Sequence, residues 1–184
     1  VSPASQQTYG VTITDNNGCK GSATKSIFVN NLPAASVSAA KGTMCLGQSD
    51  TINAFGGVSY LWGTGSTSNQ IIVNPTDTTT YNVTITDGEG CQATRQITIV
   101  VNPLPSPTAS SSDSKICFGD TTYLYASGGL NYQWNNSLGG DTVRVIPTLS
   151  QNYTVTALDS NGCSATATVN VTVDSFPTPT IVVN

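Results

Sequence analysis

The chain has 184 residues, of which only 9% are charged, and its formal net charge at pH 7 is −4. Its few lysines and arginines are scattered singly, so it lacks the basic patch of a nucleic-acid-binding protein, and no nucleic-acid partner is expected. No apolar run approaches the roughly 20 residues of a membrane-spanning helix, so no membrane span is expected in this segment. Abundant Thr, Ser, Asn, Gly and Val favour short strands and polar turns over helices.

One phrase occurs three times at intervals of 72 residues. Each occurrence begins with a tyrosine, continues through Val-Thr or Val-Thr-Ile-Thr and an Asp-x-x-Gly turn, and ends in a cysteine. The three occurrences are Tyr9–Cys19, Tyr81–Cys91 and Tyr153–Cys163. Equal intervals of this kind are the signature of a structural unit copied in tandem.

The period divides the chain into two complete copies and two partial ones. Residues 1–34 are predicted to be the C-terminal hairpin of a truncated Ig-like repeat. Residues 35–105, the second repeat, and 106–177, the third repeat, are predicted to be complete, and 178–184 to be the first strand of a further repeat. A lone hairpin is marginally stable in water, so the sequence is expected to be a window on a longer array.

Alternation of apolar and polar residues predicts six strands in the second repeat, and the third repeat keeps the same phase. In the third of these strands Val58 and Trp62 are predicted to face inward, as are Leu130 and Trp134 at the matching positions. One-sided burial on six or seven short strands predicts an all-β fold of tandem Ig-like β-sandwiches arranged in an elongated rod. The six strands are predicted at Ala35–Ala40, Ser49–Phe55, Val58–Gly63, Gln70–Asn74, Thr79–Asp87 and Cys91–Val101.

The five cysteines follow the same period, since Cys45 and Cys117 are also 72 residues apart. The simplest pairing is Cys45 with Cys91 and Cys117 with Cys163, which gives each repeat one disulfide and leaves Cys19 unpaired in this segment. A metal site is the alternative, but the chain has no histidine and no Cys-x-x-Cys motif. Disulfides indicate an oxidising, extracellular setting.

Several short motifs recur in both complete repeats: Cys-x-Gly, Gly-Gly-x-x-Tyr-x-Trp, Pro-Thr, Tyr-x-Val-Thr, Asp-x-x-Gly-Cys and Pro-x-Pro. In this combination the unit resembles the Ig-like repeats of giant secreted surface adhesins of Bacteroidota, which include the SprB-like gliding-motility adhesins. The resemblance covers the whole chain. Unlike an immunoglobulin sandwich, the unit places its second cysteine after the turn that follows the tyrosine strand, so the bridge is expected at the end of the sandwich.

The resemblance implies a structural stalk segment of a long extracellular repeat adhesin at the cell surface, in a gliding-motility or adhesion filament. The implied partners are neighbouring repeats of the same chain, surface polysaccharide or substratum, and motility or secretion machinery reached through the parent protein. The alternatives are a carbohydrate-binding Ig-like module and an accessory domain of a secreted hydrolase. No cofactor is expected. With no histidine and with acidic residues spread over turns, the chain is not expected to be an enzyme.

Two local features bear on ligand binding. Tyr123 and Tyr125 flank the inward Leu124, so they are predicted to point outward, either as a sugar-stacking contact or as a stiffening element of the sheet. The Asp-x-x-Gly turns are interpreted as hairpins in which Asp bonds nearby amides; calcium loops are the alternative. Asp-Thr triplets such as Asp50-Thr51-Ile52 resemble a Bacteroidota O-glycosylation pattern.

Proline-rich joints follow each copy, and alternate prolines predict semi-rigid spacers. Leu32, Leu104 and Phe176 occupy the same position beside these joints. They are predicted to fill the seam between neighbouring repeats.

Overall fold

The computed structural model describes residues 2–176 and residue 180. Within that range the chain forms sixteen strands and no helix. None of the described segments is therefore a helix long and apolar enough to cross a membrane. The predicted first strand of a further repeat, at 178–184, lies outside the described residues apart from Thr180.

The strands of the two complete repeats match one for one along the chain. The truncated copy contributes the antiparallel hairpin of β1 (Gln7–Thr14) and β2 (Lys20–Ile27). The second repeat contains β3 (Ser36–Ala39), β4 (Thr43–Cys45), β5 (Asp50–Phe55), β6 (Ser59–Trp62), β7 (Gln70–Val73), β8 (Thr79–Thr86) and β9 (Gln92–Asn102). The third repeat contains β10 (Thr108–Ser111), β11 (Lys115–Cys117), β12 (Thr122–Ser127), β13 (Asn131–Trp134), β14 (Thr142–Val145), β15 (Gln151–Leu158) and β16 (Ser164–Asp174).

Each complete repeat forms a three-stranded and a four-stranded sheet with the same strand order. The second repeat has sheets β3-β5-β7 and β4-β9-β8-β6, and the third has β10-β12-β14 and β11-β16-β15-β13. Pairing is antiparallel except between β4 and β9 and between β11 and β16, which are parallel. Consecutive strands divided in this way between two sheets form the immunoglobulin arrangement. The predicted all-β, Ig-like sandwich fold is confirmed.

By its contacts the chain divides into two compact units. The first comprises Val1–Gly42, Ser49–Val73 and Thr79–Ile99, and the second comprises Thr43–Gln48, Asn74–Thr78 and Val100–Asn184. The segment that carries β4 therefore belongs to the second unit, together with the whole third repeat.

The core of the first unit is formed by side chains at alternate positions of its strands. Because Trp62 is almost completely buried, its indole Nε1 needs a partner, and it donates a hydrogen bond of 2.8 Å to the Ser68 carbonyl. Val58, predicted to share the inward face, is 73% exposed because it precedes the first residue of β6. The other core side chains with no more than 1% exposure are Ile52, Ala54, Val83, Ile85 and Ile99.

The core of the second unit repeats this pattern. Trp134 is buried between strands of both sheets, and its Nε1 donates to the Gly140 carbonyl at 3.1 Å. Leu130, predicted to face inward, is 65% exposed because it precedes β13. The remaining core residues are Ile116, Leu124, Val143, Val145, Tyr153, Val155 and Val171.

Strands β4 and β11 have no counterpart among the predicted strands. Each has only three residues, too few to show a period of two. Their central side chains, Met44 and Ile116, are nevertheless buried. These two short strands determine where the first cysteine of each repeat lies.

Candidate functional site

The structure joins Cys45 to Cys163, with their Cα atoms 5.6 Å apart and a sequence separation of 118 residues. Cys19, Cys91 and Cys117 are free. The predicted pairing of Cys45 with Cys91 and of Cys117 with Cys163 is therefore wrong. The bond runs from one sequence repeat to the next, and both of its cysteines lie in the second compact unit.

The reason is visible within the third repeat. Cys117, at the end of β11, lies beside Asp174, the last residue of β16, whereas Cys163 immediately precedes Ser164, the first residue of that strand. A strand of 11 residues is about 35 Å long. Disulfide formation needs Cα atoms within about 7 Å of each other, so the two cysteines of this repeat cannot bond.

The register of the second repeat is the same. Cys45 lies beside Asn102, the last residue of β9, and Cys91 immediately precedes Gln92, the first residue of β9. The parallel pairing of β4 with β9 thus places Cys45 away from the cysteine predicted to bond with it. A bond between successive repeats becomes the alternative.

The turn that carries Cys163 is held by its own aspartate. Asp159 Oδ1 accepts hydrogen bonds of 2.8 Å from the amides of Asn161 and Cys163, and the Asp159 amide donates to the Cys163 carbonyl at 2.9 Å. Gly162 adopts a φ of 76°, which favours glycine. Cys163 is completely buried. The turn therefore presents its cysteine in a fixed position.

The other two Asp-x-x-Gly turns have the same hydrogen bonds. Asp15 Oδ1 accepts from the amides of Asn17 and Cys19, and Asp87 Oδ1 accepts from those of Glu89 and Cys91. These bonds account for the aspartate and support the hairpin interpretation. Among the described residues, no group of three or more His, Cys, Asp or Glu side chains could hold a metal ion. The carboxylates serve the turns themselves.

An open cleft surrounds Cys117 in the third repeat. Its volume is about 560 Å³. Asp174 on its wall forms a 2.9 Å ion pair with Lys115, which raises the pKa of that lysine, chiefly through the hydrogen bond. The Cys117 amide donates to Asp120 Oδ2 at 3.2 Å. The free Cys117 thus lines this cleft. The cleft is lined by Asp113, Lys115, Ile116, Cys117, Asp120, Thr121 and Asp174.

The two tyrosines of β12 lie on the outer face of their sheet. Tyr123 is 44% exposed and Tyr125 is 41% exposed, whereas Leu124 between them is completely buried. The predicted outward orientation is confirmed. Tyr123 is in register with Arg144 on β14, whose guanidinium donates to Thr121 Oγ1 at 3.1 Å. Aromatic, cationic and hydroxyl groups therefore adjoin one another on this face.

Two buried polar side chains have a structural role that the sequence pattern did not predict. Asp50 is only 2% exposed, and its carboxylate accepts hydrogen bonds from the amides of Lys41, Gly42 and Thr51 at 2.7–3.1 Å. Thr122, 72 residues later, is also buried, and its hydroxyl accepts from the Asp113 amide at 3.2 Å. Both residues anchor the turn before the short strand. The sequence signal for this role is a polar residue at the first position of a strand whose later residues alternate between apolar and polar.

No known protein-family profile matches the chain. A mouse protein, the dyslexia-associated protein KIAA0319-like protein, is 26% identical over 196 residues, which cover 88% of this chain and 19% of that protein. The chain therefore spans about a fifth of the length of this relative.

Two of the solved structures to which the chain is similar are an adhesin and murine CEACAM1b. The adhesin of an Antarctic bacterium, described as Ca²⁺-stabilised and as helping the bacterium reach out and bind ice, is 15% identical with a TM-score of 0.44. That match covers 95% of this chain and 58% of the adhesin structure. Murine CEACAM1b is 11% identical with a TM-score of 0.37, and the match covers 76% of this chain and all of that structure.

Proposed function

We propose that the chain is a stalk segment of a long extracellular repeat adhesin, in which successive Ig-like repeats bear tension and hold a distal part away from the cell surface. The finer proposal is a gliding-motility or adhesion filament of the Bacteroidota type. The observation that carries the mechanical role is the bond between Cys45 and Cys163, because it joins successive repeats covalently. Such a bond forms and persists in an oxidising, extracellular environment.

A crosslink of this kind changes how the chain responds to a pulling force. When the two chain ends are pulled apart, the force passes through the disulfide and bypasses the backbone between the two cysteines. The bypassed length is 118 residues, which corresponds to about 40 nm of extended chain. Unfolding within that segment cannot lengthen the stalk while the bond is intact. A stalk that contains this crosslink therefore keeps its length under load.

Single-molecule force spectroscopy on the full chain, held by its two ends, tests this role. The oxidised chain is expected to reach a final contour length about 40 nm shorter than the reduced chain. The variant Cys45→Ser should match the reduced chain under oxidising conditions, whereas Cys117→Ser should match the oxidised parent. Equal contour lengths with and without reductant would contradict a load-bearing crosslink.

The second candidate is a carbohydrate-binding module, and the outer face of β12 favours it. Tyr123, Tyr125 and Arg144 combine exposed rings with a hydrogen-bond donor, as sugar-binding surfaces do. A glycan array probed with the full chain and with the double variant Tyr123→Ala, Tyr125→Ala separates the two functions. A stalk segment binds no glycan before or after the substitutions. Binding that the double variant abolishes would favour the module.

A further inference from the structure

The cysteines that occupy one position in the three phrases differ in their surroundings. Cys163, which is bonded, is completely buried, whereas Cys91 is half-buried and Cys19 is exposed. The same contrast holds at the other position, where the bonded Cys45 is half-buried and Cys117 is exposed. At both positions the cysteine that has a partner is more buried than its counterpart without one.

The backbone around Cys117 reproduces the backbone around Cys45. Each cysteine ends a short strand that runs parallel to the last strand of its repeat. The next amide donates to the last residue of that strand, from Phe118 to the Asp174 carbonyl at 3.0 Å and from Leu46 to the Asn102 carbonyl at 2.9 Å. Cys117 is therefore presented in the geometry in which Cys45 is already bonded.

Two aromatic side chains are exposed beside Cys117. Phe118 and Phe176 are 47% and 65% exposed, and their rings meet edge to face with centroids 6.1 Å apart. The equivalent residues beside Cys45 are Leu46 and Leu104, which are 40% and 41% exposed. Phe176 thus contacts its own repeat, and the filling of a seam by Leu32, Leu104 and Phe176 stays a prediction. The aromatic pair and the cleft leave the Cys117 end open to a partner.

We propose that Cys117 forms a disulfide with the Asp-x-x-Gly-Cys cysteine of a further repeat that follows the third one, as Cys45 does with Cys163. The inference rests on the proposed tandem array, and it specifies how that array is fastened. The 72-residue period places the partner 118 residues after Cys117, which is the separation of the observed bond. The occupant of the cleft beside Phe118 is then the hairpin turn that carries this cysteine.

The same rule assigns the remaining free cysteines. Cys91 and Cys19 hold the position of Cys163, so each bonds to the cysteine that ends the short strand of the repeat before it. Every repeat then takes part in two bonds, one to each neighbour. None of these bonds lies within a single repeat.

Bond formation is thiol–disulfide exchange with a small-molecule disulfide such as oxidised glutathione. The thiolate of Cys117 attacks one sulfur of that molecule and releases one small thiol, which leaves a mixed disulfide. The thiolate of the following repeat then attacks Cys117 Sγ and releases the second small thiol. Two cysteine thiols are oxidised, one small disulfide is reduced to two thiols, and the two protons pass to those thiols.

An extended chain tests the inference. Residues 1–177 are followed directly by a second copy of residues 106–177 in which serine replaces Cys117, so that Cys117 occurs once and the Cys163 of the added copy lies 118 residues after it. After refolding in a glutathione redox buffer, free thiols are alkylated and the disulfide-linked peptides are identified by mass spectrometry. Two linkages are expected: Cys45 with Cys163, and Cys117 with the Cys163 of the added copy. Alkylation of Cys117 should fall from nearly complete in the 184-residue chain to nearly absent.

Two variants of the extended chain serve as controls. Cys117→Ser should leave the Cys163 of the added copy open to alkylation, and Cys163→Ser in the added copy should leave Cys117 open. Formation of Cys45–Cys163 in the same sample reports that the repeats have folded. If that bond forms while Cys117 stays fully alkylated, or if Cys117 bonds to the Cys163 of its own repeat, the inference is overturned. The force measurement on the 184-residue chain is unaffected by either outcome, so the stalk proposal is tested separately.

Discussion

Cys117 and Cys163 belong to the same sequence repeat but lie at opposite ends of strand β16. Cys117 is level with Asp174 at one end, and Cys163 precedes Ser164 at the other. The length of the strand therefore forbids the bond that sequence proximity favours. The observed bond instead joins Cys45 of the second repeat to Cys163 of the third.

Removing the observed crosslink should destabilise the protein, because the closed loop of 118 residues restricts the unfolded chain. The chain-entropy relation gives about 5 kcal/mol for such a loop. Cys45→Ser and Cys163→Ser are expected to lower the free energy of unfolding by similar amounts, measured by urea denaturation of the full chain. Cys117→Ser is the matched control, since its thiol is free, and it should stay within about 0.5 kcal/mol of the parent.

Gly128 is expected to be intolerant of any side chain. It has a φ of 84°, and an added Cβ would meet the backbone carbonyl of Ser106, which cannot move aside. Gly119 has a φ of 86° but open space around it, so it isolates the conformational cost. Gly119→Ala should cost about 1–2 kcal/mol of unfolding free energy. Gly128→Ala should cost at least about 1 kcal/mol more by the same urea measurement. Equal losses of unfolding free energy in the two variants would show that the backbone at Ser106 moves to accommodate the added methyl group.

The third repeat has Thr122 at the position of Asp50, 72 residues later. Substituting Asp50 tests whether its buried carboxylate anchors the turn before β4. Asp50→Thr leaves a hydroxyl that can accept from the Lys41 amide, as Thr122 accepts from the Asp113 amide. Asp50→Ala leaves buried amides without an acceptor, at about 1–3 kcal/mol. In thermal denaturation the melting temperature should therefore be highest for the parent, lower for Asp50→Thr and lowest for Asp50→Ala. An alanine variant as stable as the threonine variant would contradict the anchoring role.

Alkaline pH should destabilise the third repeat through Tyr153. Burial raises the pKa of its phenol above the ordinary value near 10, and the opposing effect of the hydrogen bond from Gln151 is smaller. Because the folded state holds the proton more tightly, this contribution to stability is complete below pH 10 and is lost as the pH rises through the raised pKa. Between pH 9 and about 11, the free energy of unfolding measured by urea denaturation should fall less for Tyr153→Phe than for the parent.

That comparison needs a background in which the free thiols cannot exchange with the disulfide at high pH. Serine in place of Cys19, Cys91 and Cys117 provides it. Tyr81, whose pKa is also raised by burial, serves as the matched case in the second repeat. If the free energy of unfolding of Tyr153→Phe falls with pH as steeply as that of its parent, the ionisation of Tyr153 does not cause the loss of stability.

The sequence predicted the fold because the period of two on the long strands and the 72-residue period agree with each other. It failed where the structure depends on pairing between distant segments. Residues 43–45 are too few to show alternation, and their parallel pairing with β9 leaves no local pattern. Without that strand the position of Cys45 was unknown, and equal spacing favoured the nearer cysteine. The outward tyrosines were predictable because Leu124 between them had to be buried.

The bond between Cys45 and Cys163 also encloses the proline-rich joint at 103–107, which extracellular proteases can reach more readily than strands. Cleavage of any single peptide bond between the two cysteines leaves both fragments covalently attached. If Cys117 is bonded in the same way to a following repeat, the enclosed segments overlap between residues 117 and 163. A peptide bond inside such an array would always lie within a closed ring, so one cut could nick the protein but could not sever it.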